Sequence, residues 1–372
     1  MSGQKKSYRA AVIGFAHMHV NGLVDSFAAT GRTPIVACAD VVPRSPSLIE
    51  VEGSRRANLK RTLALPSQPR LYDDYRELLA SEPIDIAILC SENARHAEVA
   101  AAAAERGVHV VVEKPMADRL AGAQAMAAAA HSAGVTLATN WPIAWSRTFR
   151  MLKRLMEERA IGDLWQLKWR NPASLGPLAH GSLHTGGTTI SGAVSDAQKG
   201  AEWWHQASAG GGALLDYCCY GACLCAWLFP DPPVSVSGMA GKLKSSFGDA
   251  DDNATLIVRW TSAMSILEAS WTTVHNGGAP LLALYGTEGS LAIHDSEILI
   301  YREPGSKPSR IESGEMLPEG RATIAEELLW HFETGEPLHP LLDLPVNLAT
   351  MAILDAGLRS ADSGRLEAVE RI

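Results

Sequence analysis

The 372-residue sequence predicts an α/β protein: an N-terminal doubly wound parallel sheet, then a second α/β unit with an open, mostly antiparallel sheet. Three observations predict it. Apolar strand-like runs alternate with helical segments over the first 140 residues. After about Asn140 the pattern shifts to alternating, β-rich runs. The length is about twice that of an ordinary domain, so two units are expected, over residues 1–140 and 141–372.

The elements follow in order. Residues 8–13 form an apolar run ending at Gly14, and 20–29 read as a helix stopped by Thr30-Gly31-Arg32. Residues 35–39 are a second strand ending at Asp40. The stretch 43–70 carries four prolines around a helix near 54–64, and 74–79 is a short helix. Residues 84–90 are a strand, 94–106 a helix closed by Gly107, and 108–112 a strand. A helix over 119–133 is closed by Gly134, and a strand follows at 135–139. Strands of β-branched apolar residues alternating with helices indicate a parallel sheet covered on both faces. In the second half, 148–159 is helical. Strands are expected at 165–170, 234–239, 254–260, 265–271, 281–285, 290–293 and 297–301, with closing helices at 323–333 and 346–360. Residues 171–212 read as a long Gly/Ser-rich connection or lid carrying His180, His184, Trp203, Trp204 and His205.

Composition narrows the function classes. Lys and Arg number 33 against 41 Asp and Glu, a formal charge of −8, with no long basic cluster. That balance disfavours nucleic acid and anionic membranes and leaves small molecules as expected partners. The opening MSGQKKSYR and the short apolar run at 10–13 do not make an export signal or a span. Four of the six cysteines, Cys218, Cys219, Cys223 and Cys225, lack a Cys-x-x-Cys pair. They read as small buried thiols, and the expected compartment is the reducing cytosol.

The first strand–helix turn is Gly14-Phe15-Ala16-His17-Met18-His19. A helix N-terminus there can hold a pyrophosphate on its free N–H groups. Only the first fingerprint glycine is present; Ala16 and His19 stand at the second and third. Asp40, at the end of the second strand, can accept from ribose hydroxyls and favours NAD, while the nearby Arg44 blurs that preference. His17-x-His19 also resembles the metal pair of barrel amidohydrolases, but the antiparallel second half does not supply such a barrel, so no metal is expected. Glu113-Lys114-Pro115 closes a parallel strand, where ligands of open α/β sheets collect. Gly210-Gly211-Gly212 precedes a helix that carries Asp216 and Tyr220 on one face. A carboxylate and a phenol there could bind and deprotonate a sugar hydroxyl, and a nearby Lys⁺ is expected to lower the phenol pKa.

This combination resembles the glucose-fructose oxidoreductase / inositol dehydrogenase (Gfo/Idh/MocA) family over nearly the whole chain. The pieces are Gly14, Leu71 to Tyr75 with Glu77-Leu78-Leu79, Ile84-Asp85, Asn93 and His96, Glu113-Lys114-Pro115, Gly162, Gly210 to Asp216, Gly286 to Gly289 and Leu358-Arg359-Ser360. The resemblance implies a Rossmann domain, an NAD cofactor with NADP not excluded, and a sugar or polyol substrate. It implies that Lys114 is the catalytic lysine, that Asp216 belongs to the substrate pocket and that Tyr220 replaces the more usual His as acid/base. Ser91, Asn93, His96 and Pro115, with Glu113, would lie along the cofactor beside Gly14 to Met18. Cys218 stands where the family usually has glycine. A homo-oligomer, dimer or tetramer, is implied as well.

The leading expectation is an NAD(P)-dependent oxidoreductase acting on a carbohydrate-like alcohol or ketone, with Tyr220 taking the hydroxyl proton assisted by Lys114 and Asp216 orienting the substrate. The alternatives are an NAD-dependent glycosidase on the same fold and a non-catalytic regulator that binds cofactor or sugar. The four tryptophans Trp141, Trp145, Trp203 and Trp204 fall near pocket segments, as packing or as sugar-facing surfaces.

Overall fold

The structure is a computed structural model and describes residues 6–43, 46–50, 53–171, 178–179, 182–185, 188–191, 194–294, 296–305, 307–311, 314 and 316–372. Arg44 and His180 lie outside the described residues.

The first unit runs β1 (Ala10–Ile13), α1 (Val20–Ala29), β2 (Ile35–Ala39), α2 (Arg55–Leu63), β3 (Arg70–Tyr72), α3 (Tyr75–Ser81), β4 (Ile86–Leu89), α4 (His96–Ala104), β5 (His109–Glu113), α5 (Leu120–Ala133) and β6 (Leu137–Asn140). Its six strands are parallel, in the order β3-β2-β1-β4-β5-β6. Every residue of β1 and β4 is buried, as a sheet covered on both faces requires. The strand order reverses beside β1, so a crevice opens between the carboxyl ends of β1 and β4.

The second unit runs α6 (Arg147–Glu157), β7 (Leu164–Arg170), β8 (Leu178–Ala179), β9 (Ser182–Thr185), β10 (Thr188–Ser191), α7 (Asp196–Ala201), α8 (Cys219–Leu228), β11 (Ser235–Gly241), β12 (Asn253–Arg259), β13 (Met264–Ser270), β14 (Leu282–Gly286), β15 (Gly289–His294), β16 (Glu297–Tyr301), β17 (Ser309–Ile311), α9 (Ile324–Thr334), α10 (Leu344–Ser363) and β18 (Glu367–Ala368). Nine strands form one sheet, β17-β16-β15-β14-β7-β13-β12-β11-β18, and only the β7–β13 pairing is parallel. Helices α8 and α10 cover one face. A Cβ on Gly221 would stand 2.8 Å from Trp169 and Leu267, so α8 crosses the sheet at that glycine. Cys218, at the position expected to need one, is simply buried.

Several short elements differ from expectation. Strands β3, β17 and β18 have two or three residues each, too few for an alternation to register. The stretch 171–212 is not one long connection. It holds a small sheet, β10-β9-β8, and α7, which starts with a capping box between Ser195 and Gln198. Helix α9 returns to the first sheet, where Ile324, Ala325 and Leu328 share a core with Tyr8, Val12 and Phe27. Ala207–Leu228 is long and apolar enough to cross a membrane by composition, yet 67% of that window is buried inside the protein. All six cysteines are buried free thiols.

Candidate active site

The turn after β1 is built by close approach. Gly14 has φ 88°, and a Cβ there would stand 2.6 Å from the Ser91 amide nitrogen. No L side chain fits, and the turn is therefore pressed against the end of β4. Ala16 N–H donates to the Cys90 carbonyl at 2.9 Å, so the turn closes without a second glycine. Phe15 sends its side chain into the core, its backbone N–H donates to Asp40 Oδ1 at 3.2 Å, and its carbonyl accepts from Asn58 Nδ2 at 3.1 Å. His19 does not pack between helix and strand. Its Nδ1 lies 2.8 Å from Glu113 Oε1, and Asn140 Nδ2 donates to Glu113 Oε2 at 2.8 Å. Burial would raise the Glu113 pKa, but His19, Lys114 and Asn140 together bring it below the usual carboxylate value.

Asp40 sits where the sequence places it, at the end of β2. Its Oδ1 also accepts from Val41 N–H at 2.9 Å and from Arg55 Nη1 at 2.7 Å. Arg55 is buried, and its Nη2 donates to the equally buried Glu92 at 2.9 Å. This guanidinium carries no local signal in the sequence, because α2 lies in a stretch marked chiefly by its prolines. Asn93 Nδ2 donates to the Gly210 carbonyl at 2.8 Å and so ties the two units together. His96 is fully buried between the Ser91 and Pro115 carbonyls, each 3.2 Å away. It clamps the ends of β4 and β5, and desolvation lowers its pKa.

The second wall comes from the triple glycine. A Cβ on Gly210 would stand 2.8 Å from Asn93 Cβ, one on Gly211 2.3 Å from the Trp204 carbonyl, and one on Gly212 2.1 Å from Asp251 Oδ1. Asp251 accepts from Leu214 N–H at 2.8 Å and starts the helix. The chain then enters with a π-helical turn, Leu214–Cys218, before α8. Such turns are frequent at functional sites. This one presents Asp216, which the sequence alone predicts on a regular first turn.

Lys114 Nζ meets Asp216 Oδ1 at 2.9 Å, with the lysine side chain 3% exposed. Asp216 Oδ2 accepts from Trp271 Nε1 at 3.1 Å. Desolvation pulls the Lys114 pKa down, but Asp216, Tyr220 and their neighbours outweigh it, and the ammonium is held well above its ordinary value. Lys114 is therefore held as the ammonium. Tyr220 departs from expectation. Lys114 Nζ lies over its ring, 4.9 Å from the centroid, and Trp169 and Trp141 pack on it at 5.7 and 5.4 Å. Burial raises the phenol pKa more than Lys114 lowers it, so the expected lowering is reversed and the phenol stays protonated.

His17, Asn93, Lys114, Pro115, Trp203, Trp204 and Asp216 line one small internal cavity of about 10 Å³. His17 is buried with its ring 4.6 Å from that of Trp204, and Trp203 Nε1 donates to the Ala16 carbonyl at 2.9 Å. Met18, His19, Asn140 and Trp145 line a second cavity of about 600 Å³. The structure thus gathers Gly14 to Met18, Asp40, Ser91, Asn93, Glu113, Lys114, Pro115, Asp216 and Tyr220 along one edge. Asn140, Arg55 and Trp271 complete it. Asn140 ends a parallel strand as Glu113 does and was open to the same argument; Trp271 and Arg55 carry no local signal. A tight glycine turn before a helix, a carboxylate at the next strand end and a buried Glu113 fit a dinucleotide.

Residues 9–141 match the oxidoreductase family model with an NAD-binding Rossmann fold, and residues 149–292 match the GFO/IDH/MocA C-terminal domain model. Levoglucosan dehydrogenase of Pseudarthrobacter phenanthrenivorans is 22% identical over 70% of this chain and 66% of its own length. The 1,5-anhydro-D-fructose reductase of Ensifer adhaerens is 27% identical over 70% of this chain and 71% of its own. The WlbA dehydrogenase of Bordetella pertussis, solved with NADH and UDP-GlcNAcA, shares the fold at a TM-score of 0.72 and 18% identity, covering 99% of this chain and 100% of that one. The chain belongs to the GFO/IDH/MocA oxidoreductase family.

Proposed function

We propose that this protein is an NAD(P)-dependent oxidoreductase that interconverts an alcohol and a ketone or aldehyde on a sugar, polyol or related compound. The observation that carries this reading is the ion pair between buried Lys114 and Asp216 at 2.9 Å, placed beside the dinucleotide turn. The relatives named for levoglucosan and 1,5-anhydro-D-fructose support a carbohydrate-like substrate.

Gly14 to Met18 would hold the pyrophosphate, Asp40 the adenosine ribose, and Glu113 with Asn93 the nicotinamide side. The bound nicotinamide supplies hydride transfer. Arg55 compensates Asp40, which supports acceptance of NADP as well as NAD. Lys114 donates to the substrate oxygen and stabilises the negative charge that grows there. Asp216 fixes the ammonium, whose proton passes to the oxygen as the ketone is reduced and returns to the lysine amine in the reverse direction. Tyr220 acts as a protonated donor and ring platform rather than as the proton acceptor. The two aromatic pairs around His17 and Tyr220 suit the apolar faces of a sugar ring.

A second copy of this chain would cover the open sheet face, where Ile257 and Met239 are exposed. The buried, unpaired thiols support a cytoplasmic home, and the acidic charge supports a small-molecule partner over nucleic acid or membrane. The test is a turnover screen of sugars and polyols with NAD and NADP, followed in nicotinamide absorbance. Cofactor reduction with at least one polyol, lost in Lys114→Ala, supports the reading. Sugar release without net cofactor reduction would replace it with a glycosidase.

A further inference from the structure

We infer that His17, His19 and Glu113 form a binding site for a divalent transition metal ion of the zinc, cobalt or nickel class. The ligand atoms of the three side chains all lie within 4.8 Å of one another. The histidine rings are 4.1 Å apart at their centroids, and His19 Nδ1 already lies 2.8 Å from Glu113 Oε1. Two imidazoles and one carboxylate are a borderline-soft set that suits zinc, cobalt or nickel and not magnesium or calcium, which want oxygen throughout.

The surroundings are those of a built site. Glu113 is 1% exposed and His17 is buried, so two of the ligands are held in place by packing. Asn140 Nδ2 donates to the other Glu113 oxygen at 2.8 Å, as outer partners of metal-bound carboxylates do. His19 is 29% exposed and lines the cavity of about 600 Å³, which gives an ion an entry path and room for open coordination positions. Two features oppose a cation: the start of α1 and the Lys114 ammonium. Asp216 compensates the ammonium, and the ionised Glu113 offsets the helix end. Metal–nitrogen bonds of about 2.0–2.1 Å need only a small opening of the His19–Glu113 pair. A metal–nitrogen bond at His19 Nδ1 replaces its hydrogen bond to Glu113, with the ring N–H carried on Nε2 instead, and no oxidation state changes.

The inference does not depend on the dinucleotide reading. Chelator-treated protein would be titrated with Co²⁺ alone, followed by visible ligand-field bands, and with Zn²⁺ by calorimetry. Saturable 1:1 binding is expected. His17→Ala and His19→Gln should each weaken it by at least about tenfold, and Asn140→Ala by about tenfold, the range found for outer-shell losses. His131→Ala, at an exposed imidazole on α5, should leave it unchanged. Thermal unfolding of each variant checks that it folds, and the partly exposed His19 makes His19→Gln the safest of them. No saturable binding below millimolar Co²⁺, or binding that survives both His17→Ala and His19→Gln in folded protein, would overturn the site.

Discussion

The two glycine turns that wall the crevice are built differently. The turn after β1 keeps one glycine of a three-glycine fingerprint, and only that glycine is sterically compelled, with Ser91 at 2.6 Å from a Cβ. The turn before α8 keeps three, and all three are compelled, by Asn93, Trp204 and Asp251. The difference teaches that a glycine is needed where another chain segment presses on the backbone, and a count of motif letters does not reveal that pressure. At Ala16 a backbone hydrogen bond to Cys90 closes the turn, and at His19 the side chain leaves for Glu113.

That contrast can be broken from either side. The largest effect is expected at the residue both turns serve. Lys114→Ala should lower kcat by about 10²–10⁴, the range of a lost proton-transfer group, with cofactor affinity changed far less. Single-turnover kinetics separate the two, and near wild-type turnover would remove Lys114 from the chemistry. Gly211→Ala should destabilise the protein by about 2–3 kcal/mol through overpacking on the Trp204 carbonyl, read as a fall in Tm. Gly14→Ala should cost a comparable amount and also weaken NADH binding, because the turn must lift off Ser91.

A fourth test concerns the support behind the second turn. His205 is 4% exposed, and its Nε2 has no hydrogen-bond partner among the described residues. Burial, with Lys199 nearby and only partly opposed by Asp252, lowers its pKa to about 4. A histidine whose folded pKa lies below its unfolded value gives stability present above pH 6.5 and lost as pH falls through 4. The loss should total about 3 kcal/mol at most, and His205→Phe should flatten it in denaturant titrations at pH 7 and pH 4. The smallest effect belongs to the first turn. Ala16→Gly should change NADH affinity by no more than about fivefold, since the added chain freedom is worth about 0.5–1 kcal/mol. A gain of a hundredfold in calorimetry would show that the missing glycine does limit the turn.

The first sheet was legible because burial on both faces writes long β-branched runs, as at β4 and β5, and because Gly107 and Gly134 mark helix ends. Strands β3, β17 and β18 were not, since a strand of two or three residues at a sheet edge carries no period. In the site, Lys114 and Asp216 were legible from position: one ends a parallel strand and the other follows a glycine run. The state of Tyr220 was not. Whether a lysine meets a phenol at its hydroxyl or over its ring depends on packing by Trp141 and Trp169, which lie far away in sequence. Arg55 and Trp271 were hidden for the same reason, as each reaches the crevice only through tertiary contact.

The central claim is that this crevice binds a dinucleotide despite its altered turn. The most direct measurement is a titration of the folded protein with NADH and with NADPH, followed by energy transfer from tryptophan to the nicotinamide. The account predicts saturable binding of at least one of them and weaker binding in Gly14→Ala. No binding up to millimolar concentration, in folded protein that carries no retained cofactor, would contradict it.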